Sequence, residues 1–367
     1  MNGLEITSPW PLFTDDLGLA RAWAKDQLRR RPFSIKAGHQ ALNLGLHDII
    51  SARMFALAGP GDAAACRRQW GFCLARIQGE GNPYGHLIPP ALRQATAAAL
   101  QASLRRGDPL WLQLSGGIGD RLETLSLVVP WARSRSVELR LLVDAGGRAL
   151  FRELVPPGVA LVDAHPSVTS PVSQGMAVRQ AILAHSPETV FDSFLAPVSQ
   201  AWLQHSGLLC CWKAEGRGNA FSAHSRSVPF ALVRQFYGQL LCQYPRIEIV
   251  DITTWRPWER DALASLGVRC VDHCSGGLLN LAREACGRRV ITIDTALAHL
   301  CAACALPADL LLPRFHDERW FELHRPQYSY GRWLRVWRSP DFGSWSAVLP
   351  SLHRSIASDL GCAGALE

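Results

Sequence analysis

The 367-residue sequence lacks the segments that would carry a chain into or across a membrane. It has no run of about 18 uninterrupted apolar residues, which a transmembrane helix requires. Its first residues, MNGLEITSPWPLFTDD, contain neither a basic stretch nor an apolar stretch, so they do not predict a signal peptide. We therefore predict a cytoplasmic protein without a transmembrane segment.

The cysteines do not form a disulfide framework. There are eleven, an odd number, and several lie inside apolar runs, where a free cysteine behaves as a small hydrophobic residue. This usage is typical of a reducing compartment. Cys301 and Cys304 are spaced as C-x-x-C, but no second pair stands at zinc spacing, so we predict that both pack in the core.

The charge is mildly basic, with a formal net charge of +7, and arginine strongly outnumbers lysine. No recognisable nucleic-acid-binding module accompanies this excess, so no nucleic-acid partner is expected. A modest basic excess suits an acidic small ligand, such as a phosphorylated one, or an acidic partner surface. The sequence leaves the oligomeric state open.

The length and the changes in pattern predict several domains. Residues 1–107 contain helix-spaced apolar residues divided by Pro and Gly, with a helix–turn–helix spacing that is only vaguely tetratricopeptide-like. From residue 108, strands alternate with helices, which predicts parallel sheets. The predicted domains are a helical N-terminal domain (1–107), a first Rossmann-like domain (108–200), a second Rossmann-like domain (201–350) and a C-terminal tail (351–367).

The first candidate site is SGGIGD, residues 115–120, between a strand and a helix. Gly117 and Gly119 allow a ligand to approach the backbone closely. Asp120, in the first helical turn, either caps the helix or acts in a site. The glycines also resemble part of a dinucleotide fingerprint with Asp144 after the next strand, but Leu122 replaces the third glycine.

The second candidate site is a long polar loop, CWKAEGRGNAFSAHSRSVP, residues 211–229, which follows a buried strand. A loop of this length is uncommon unless it is functional or mobile, so a solvated loop stays the alternative. Basic groups at the carboxyl end of a strand suit phosphate, and arginine binds it in a bidentate way. The candidate residues are Lys213, Arg217, His224, Arg226 and Ser227.

The third candidate site is VITIDTALAHLCAACALP, residues 290–307, a buried strand that runs into a helix ended by Pro307. The free N–H groups at the helix start, around Thr295 and Ala296, predict an anion site. His299 lies opposite the apolar stripe of the helix, so packing does not explain it. The alternative is a Thr-capped helix with an incidental histidine.

Together the three stretches resemble the GT-B glycosyltransferases, more narrowly the ADP-heptose:lipopolysaccharide heptosyltransferase group and the related bacterial tetratricopeptide-linked glycosyltransferase domains. LSGGIGDRLETLSLV is similar to the first strand and glycine loop of that group, and VITIDTALAHLCAACALPADLLLP matches its D-T-A-x-A-H-L motif. WKAEGRGNAFSAHSRSVPF is similar to its W-x-G-N-P…R-S-I-P segment, although the G-N-P is absent. The resemblance covers residues 110–350 and implies two Rossmann-like parallel-sheet domains with a cleft between them, preceded by a small helical domain.

The resemblance also implies a mechanism in which a nucleotide-sugar donor is bound without a metal. The N–H groups at Thr295 and Ala296 would bind its diphosphate, with Arg226, helped by Lys213 or His224, offsetting the charge. Asp120 would deprotonate an acceptor hydroxyl, and Asp294 would bind the sugar or orient the loop. No Asp-x-Asp motif occurs in the chain, in agreement with a metal-independent reaction. Glu259 is a candidate for the acid that holds the donor ribose.

Two alternatives stay open at this point. One is a GT-B-like binding protein without catalysis, and the other is a nicotinamide-dependent oxidoreductase. The sequence does not identify the donor sugar, the nucleotide base or the acceptor, which is expected to be a protein or a glycan.

Overall fold

The computed structural model describes most of the chain in segments. These are residues 17–42, 44–57, 62–77, 90–114, 116–143, 148, 151, 155, 158–163, 173–185, 192, 194–195, 207–214, 226–271, 277–314, 320, 332–340 and 345–363. No helix within these segments is long and apolar enough to cross a membrane.

The described part of the chain starts with four helices that share a core of their own. They are α1 (Leu17–Arg30), α2 (Ile35–Leu42), α3 (His47–Ala56) and α4 (Asp62–Ile77). Their apolar faces enclose Leu28, Ile50 and the fully buried Trp70. Gly38 in α2 lies directly on the Trp70 indole, where any side chain would overlap the ring. Close helix contact at this glycine therefore fixes how α2 packs on α4.

The first α/β unit has a four-stranded parallel sheet in the order β3-β2-β1-β4. Its elements are α5 (Pro90–Arg106), β1 (Leu110–Gln113), α6 (Ile118–Ser134), β2 (Leu139–Val143), β3 (Val159–Asp163), β4 (Ser173–Gln174) and α7 (Gly175–His185). Helix α5 packs against α7, β1 and β4, and Leu100 of α5 is buried in the core of this unit. The sequence grouped α5 with the preceding helices. The domain boundaries themselves stay a prediction.

The second α/β unit has a six-stranded parallel sheet in the order β10-β9-β8-β5-β6-β7. Its elements are β5 (Gly207–Cys211), α8 (Phe230–Gln243), β6 (Glu248–Asp251), α9 (Pro257–Ala264), β7 (Arg269–Cys270), α10 (Gly277–Ala285), β8 (Arg289–Ile293), α11 (Ala296–Ala303), β9 (Ala308–Leu312), β10 (Leu334–Arg338) and α12 (Trp345–Ala363). All residues of β5, β8 and β9 are buried, as expected for parallel strands covered by helices on both faces.

The two α/β units meet through α6 and α11. One apolar cluster runs through this contact, from Leu112 in the first sheet to Leu310 in the second. The residues between the units add backbone hydrogen bonds, because the Asp192 N–H donates to the Ser126 carbonyl and the N–H groups of Phe194 and Leu195 donate to the Ala303 carbonyl. The contact between the units is therefore packed and apolar.

The fold class predicted from the sequence is confirmed: two Rossmann-like parallel-sheet units follow a group of helices. Core packing of Cys301 and Cys304 is confirmed too, since both are buried, and burial raises the pKa of the Cys304 thiol to about 12. Ile118, the first residue of α6, is exposed.

Candidate active site

Each sheet has one point where the chain reverses the direction in which it adds strands. In the first sheet β2 and β3 lie on one side of β1 and β4 lies on the other; in the second, β6 and β7 lie on one side of β5 and β8 on the other. Ligands of parallel α/β folds bind at the carboxyl ends of the strands at such a point. The glycine turn follows β1, and the other two candidate stretches follow β5 and β8. The topology therefore places all three at the expected crevices.

The glycine turn after β1 is closed by Asp120. The Gly117 N–H donates to Asp120 Oδ2 at 2.8 Å. Gly116 has a φ of +86°, and a Cβ there would lie 2.7 Å from the same carboxylate oxygen, so only glycine suits this position. Asp120 thus makes the helix-capping contact that was one of its two predicted roles, and its side chain is partly exposed.

The dinucleotide interpretation finds no support at this turn. Leu122, in the place of the third glycine, is fully buried in the core of the first unit. That glycine serves close packing of helix on strand, and a leucine prevents it. Asp144, the other residue of this interpretation, lies outside the described residues.

The ends of the polar loop after β5 are tied together. The Ala214 N–H donates to Ser227 Oγ at 3.0 Å, and the Val228 N–H donates to the Trp212 carbonyl at 2.8 Å. Ser227 therefore closes the base of the loop. Lys213 is exposed at this base, with its Nζ 6.0 Å from the centre of the Trp255 ring. Arg217 and His224 lie outside the described residues.

An ion pair connects the polar loop with the β8–α11 joint. Arg226 Nη1 donates to the Asp294 carbonyl oxygen at 2.8 Å and to its carboxylate Oδ2 at 3.1 Å. Asp294 is buried, whereas Arg226 keeps a quarter of its side chain exposed. The structure thus brings together two residues that the sequence assigned to separate motifs.

The anion site predicted at the start of α11 has the required backbone geometry. Thr295 is the extended residue before the helix, and Ala296 is the first helical residue; both are partly exposed. The Thr295 side chain makes no capping hydrogen bond, and its hydroxyl lies 3.0 Å from that of Thr292. The first N–H groups of the helix thus have no side-chain cap from Thr295.

The expectation that packing does not explain His299 is wrong. Every residue of α11 from Leu297 to Ala303 is buried, so the helix has no polar face behind its apolar stripe. His299 is 2% exposed, and its ring packs on Trp320 with centroids 4.9 Å apart. The helical periodicity of the sequence predicted one packed face of α11. In the structure α6 covers a second face of this helix, which buries His299.

Sequence reasoning missed a buried polar network at the carboxyl ends of β5 and β6. The Trp212 indole N–H donates to the Tyr237 hydroxyl at 2.6 Å, and that hydroxyl donates to Asp251 Oδ2 at 2.7 Å. The Trp212 N–H donates to Thr253 Oγ1 at 3.0 Å. Burial raises the pKa of both Asp251 and Tyr237. The network holds the loops after both strands, and its one sequence signal is an aspartate that ends a buried strand.

Glu259, the candidate ribose-binding acid, is buried and accepts the Arg256 N–H at 2.8 Å. It therefore caps α9. Among the described residues, no three His, Cys, Asp or Glu side chains are grouped as a metal ion would need.

Comparison with known proteins gives matches in structure but not in sequence. The chain matches no family model and no curated protein. The E. coli heptosyltransferase WaaC with ADP-2-deoxy-2-fluoro heptose aligns at 15% identity and a TM-score of 0.45, over 68% of this chain and 99% of WaaC. The iron-containing dodecameric glycosyltransferase TibC of enterotoxigenic E. coli H10407 aligns at 12% identity and a TM-score of 0.43, over 65% of each chain. The chain is thus similar to solved heptosyltransferases over about two thirds of its length.

Proposed function

We propose that this protein is a metal-independent glycosyltransferase that moves a sugar from a nucleotide-sugar donor to a hydroxyl of a protein or glycan acceptor. One observation carries the proposal: α6, which follows the crevice of the first sheet, packs on α11, which follows the crevice of the second. Asp120 is next to Gly119, which lies against His299 of α11. Arg226 is bound to Asp294, two residues before α11 begins.

The second unit is proposed to bind the donor. The first N–H groups of α11 point out of the helix, and the positive end of the helix dipole favours a diphosphate there. Arg226 at the same crevice, with the exposed Lys213 at the loop base, adds positive charge. These groups would stabilise the nucleoside diphosphate as it leaves, so the proposal needs no metal.

The first unit is proposed to activate the acceptor. The bond between the anomeric carbon and the diphosphate oxygen breaks, and the acceptor oxygen bonds to that carbon. The hydroxyl proton passes to the Asp120 carboxylate, which acts as a general base. The tight glycine turn, held by the Gly117 N–H, fixes this carboxylate at the crevice.

A thermal-shift panel of ADP-, GDP-, UDP- and dTDP-sugars, including ADP-heptose, tests donor binding. A ligand at about one hundred times its Kd should stabilise the protein by about 2.7 kcal/mol. The panel also decides between a hexose and a heptose donor. Each donor that binds is then incubated with the protein and candidate acceptors, with and without EDTA. The rate of sugar transfer should be the same under both conditions. Absence of binding by every nucleotide-sugar would refute the proposal.

A GT-B-like binding protein without catalysis is the second candidate, and the capping contact of Asp120 favours it. The Asp120 carboxylate accepts the Gly117 N–H and so caps α6. This capping role accounts for the residue without any proton transfer. Such a protein would bind a nucleotide-sugar from the same panel but neither transfer nor hydrolyse it. Release of nucleoside diphosphate over time therefore separates the two candidates.

A further inference from the structure

Asp294 and Arg226 form a bridge across the crevice between β8 and β5. They are 68 residues apart in the chain, and both contacts of Asp294 are with Nη1 of Arg226. One acceptor is the carboxylate and the other is the backbone carbonyl of the same residue. Two acceptors from one residue restrict both the position and the orientation of that guanidinium nitrogen.

The two partners differ in exposure. The Asp294 side chain is 8% exposed and the Arg226 side chain is 25% exposed. A buried carboxylate is costly unless a cation and hydrogen bonds compensate it, which makes Arg226 the required partner of Asp294. A guanidinium is a rigid planar fork of N–H donors, so holding one of its nitrogens fixes the orientation of the whole group. The more exposed partner is the one that solvent or a ligand reaches.

We propose that Asp294 is a positioning residue that acts through Arg226 and does not bind the sugar. It fixes the guanidinium so that the fork faces the diphosphate of the donor. This inference rests on the proposed function. It selects one of the two roles expected for the aspartate, since the carboxylate that would have bound the sugar is buried against the arginine.

Fixing the arginine in advance is expected to strengthen donor binding. A long arginine side chain loses rotamer freedom when it binds a ligand, and holding it in the bound orientation removes part of that cost. Bidentate recognition of phosphate also depends on the orientation of the planar fork. Loss of Asp294 should therefore weaken the binding of every ligand that carries the diphosphate, whether or not a sugar is attached.

Calorimetric titration of wild type and Asp294→Ala tests this. The ligands are ADP, GDP, UDP or dTDP, whichever the wild type binds, and the corresponding nucleotide-sugar. The Kd of both should rise by the same factor, about 10- to 100-fold, as expected for loss of one charge-assisted contact. If only the nucleotide-sugar binds more weakly, Asp294 contacts the sugar and the inference is wrong.

A double-mutant cycle supplies the second test. If Asp294 acts through Arg226, the variant with both Arg226→Ala and Asp294→Ala should bind the diphosphate no more weakly than Arg226→Ala alone. Asp294→Asn keeps the size of the side chain and one acceptor oxygen, so it should give an intermediate Kd and serves if the alanine variant does not fold. Additive losses would overturn the inference.

Asp309→Ala is the matched control. Asp309 is 4% exposed in the same sheet and pairs with Arg289 at 2.6 Å, at the amino ends of β8 and β9. The Asp309→Ala variant should have a lower melting temperature but an unchanged Kd for the diphosphate. An equal loss of binding in this variant would assign the effect to stability and overturn the positioning role.

If the wild type binds no diphosphate or nucleotide-sugar, the proposed function fails and the positioning role fails with it. Additive losses in the double-mutant cycle, with intact wild-type binding, overturn only the positioning role.

Discussion

Gly119 in the first turn of α6 lies directly against the imidazole of His299 in α11. A Cβ on this glycine would lie 2.5 Å from His299 Cδ2 and 3.0 Å from Nε2. The other side of the contact is also occupied, because the imidazole packs on Trp320. The turn that carries Asp120 is therefore held against the second α/β unit with no room for a side chain between them.

Gly119→Ala should destabilise the protein. The added methyl group would force His299 or α6 to move, and overpacking of this kind costs about 1–3 kcal/mol. The better helix propensity of alanine returns about 1 kcal/mol of this. We expect a net loss of up to about 2 kcal/mol in the free energy of unfolding, measured by urea denaturation.

Gly117→Ala and His299→Ala are the controls for this substitution. Among the described residues a Cβ at Gly117 would meet Asp120 Oδ2 alone, at 3.4 Å, so this variant should lose only the N-cap preference for glycine and not pay the overpacking cost. His299→Ala should destabilise on its own, because the imidazole is buried, but it should make Gly119→Ala less costly. Equal effects of Gly119→Ala in both backgrounds would contradict the contact.

Asp120→Asn separates the two roles of that carboxylate. Asparagine retains an acceptor oxygen for the Gly117 N–H, so stability should change little. It cannot take up the acceptor proton, so sugar transfer should fall by about 10²–10⁴-fold while the donor Kd stays the same. Transfer rate and calorimetric titration measure the two effects. Near-normal transfer by a folded variant would remove Asp120 from the mechanism.

The buried Asp251 should make stability depend on pH. Burial raises its pKa above the ordinary value of 3.8, so the folded state binds the proton more tightly than the unfolded state. Its contribution to the free energy of unfolding therefore grows as the pH falls through the folded-state pKa, and is complete below 3.8.

We expect the stability of wild type relative to Asp251→Asn to rise as the pH is lowered from about 7 to about 4 in urea unfolding. Asp261→Asn, an exposed aspartate on α9, is the control for general acid effects. A pH-independent difference between wild type and Asp251→Asn would show that the buried carboxyl does not titrate in this range.

Helix α5 should be required by the first α/β unit. A chain that begins at Asp108 lacks Leu100 and uncovers the faces of α7, β1 and β4 on which α5 packs, so it should aggregate or melt at a lower temperature. A chain that begins at residue 88 keeps these contacts and should bind the donor like the full chain. Equal solubility and melting temperature of the two truncations would contradict this.

The sequence predicted most of the sheet architecture because that information is local. β-branched and apolar runs such as VITI predict buried strands, and glycines or helix-starting residues mark the joints that follow. Parallel strands then place their carboxyl ends together, so Asp120 and Arg226 were predicted at strand ends. The burial of Cys301 in α11 and of Cys304 just after it follows from the same helical periodicity.

The remaining features depend on contacts that periodicity does not contain. The bridge between Arg226 and Asp294 joins residues from two motifs, and its existence depends on β5 and β8 being neighbours in the sheet. The burial of His299 depends on α6 covering a second face of α11. The assignment of α5 to the first unit depends on which surface it packs against, because its own pattern is that of any amphipathic helix.

By itself, then, the sequence determined the order of strands and helices and the joints at which polar residues meet strand ends, because propensity and spacing act between residues close in the chain. Only the tertiary structure decided which of these residues are buried and which are paired. Burial and ion pairing are set by whichever distant segment fills the space beside a residue, and at His299 and Asp294 that segment lies more than 60 residues away in the chain.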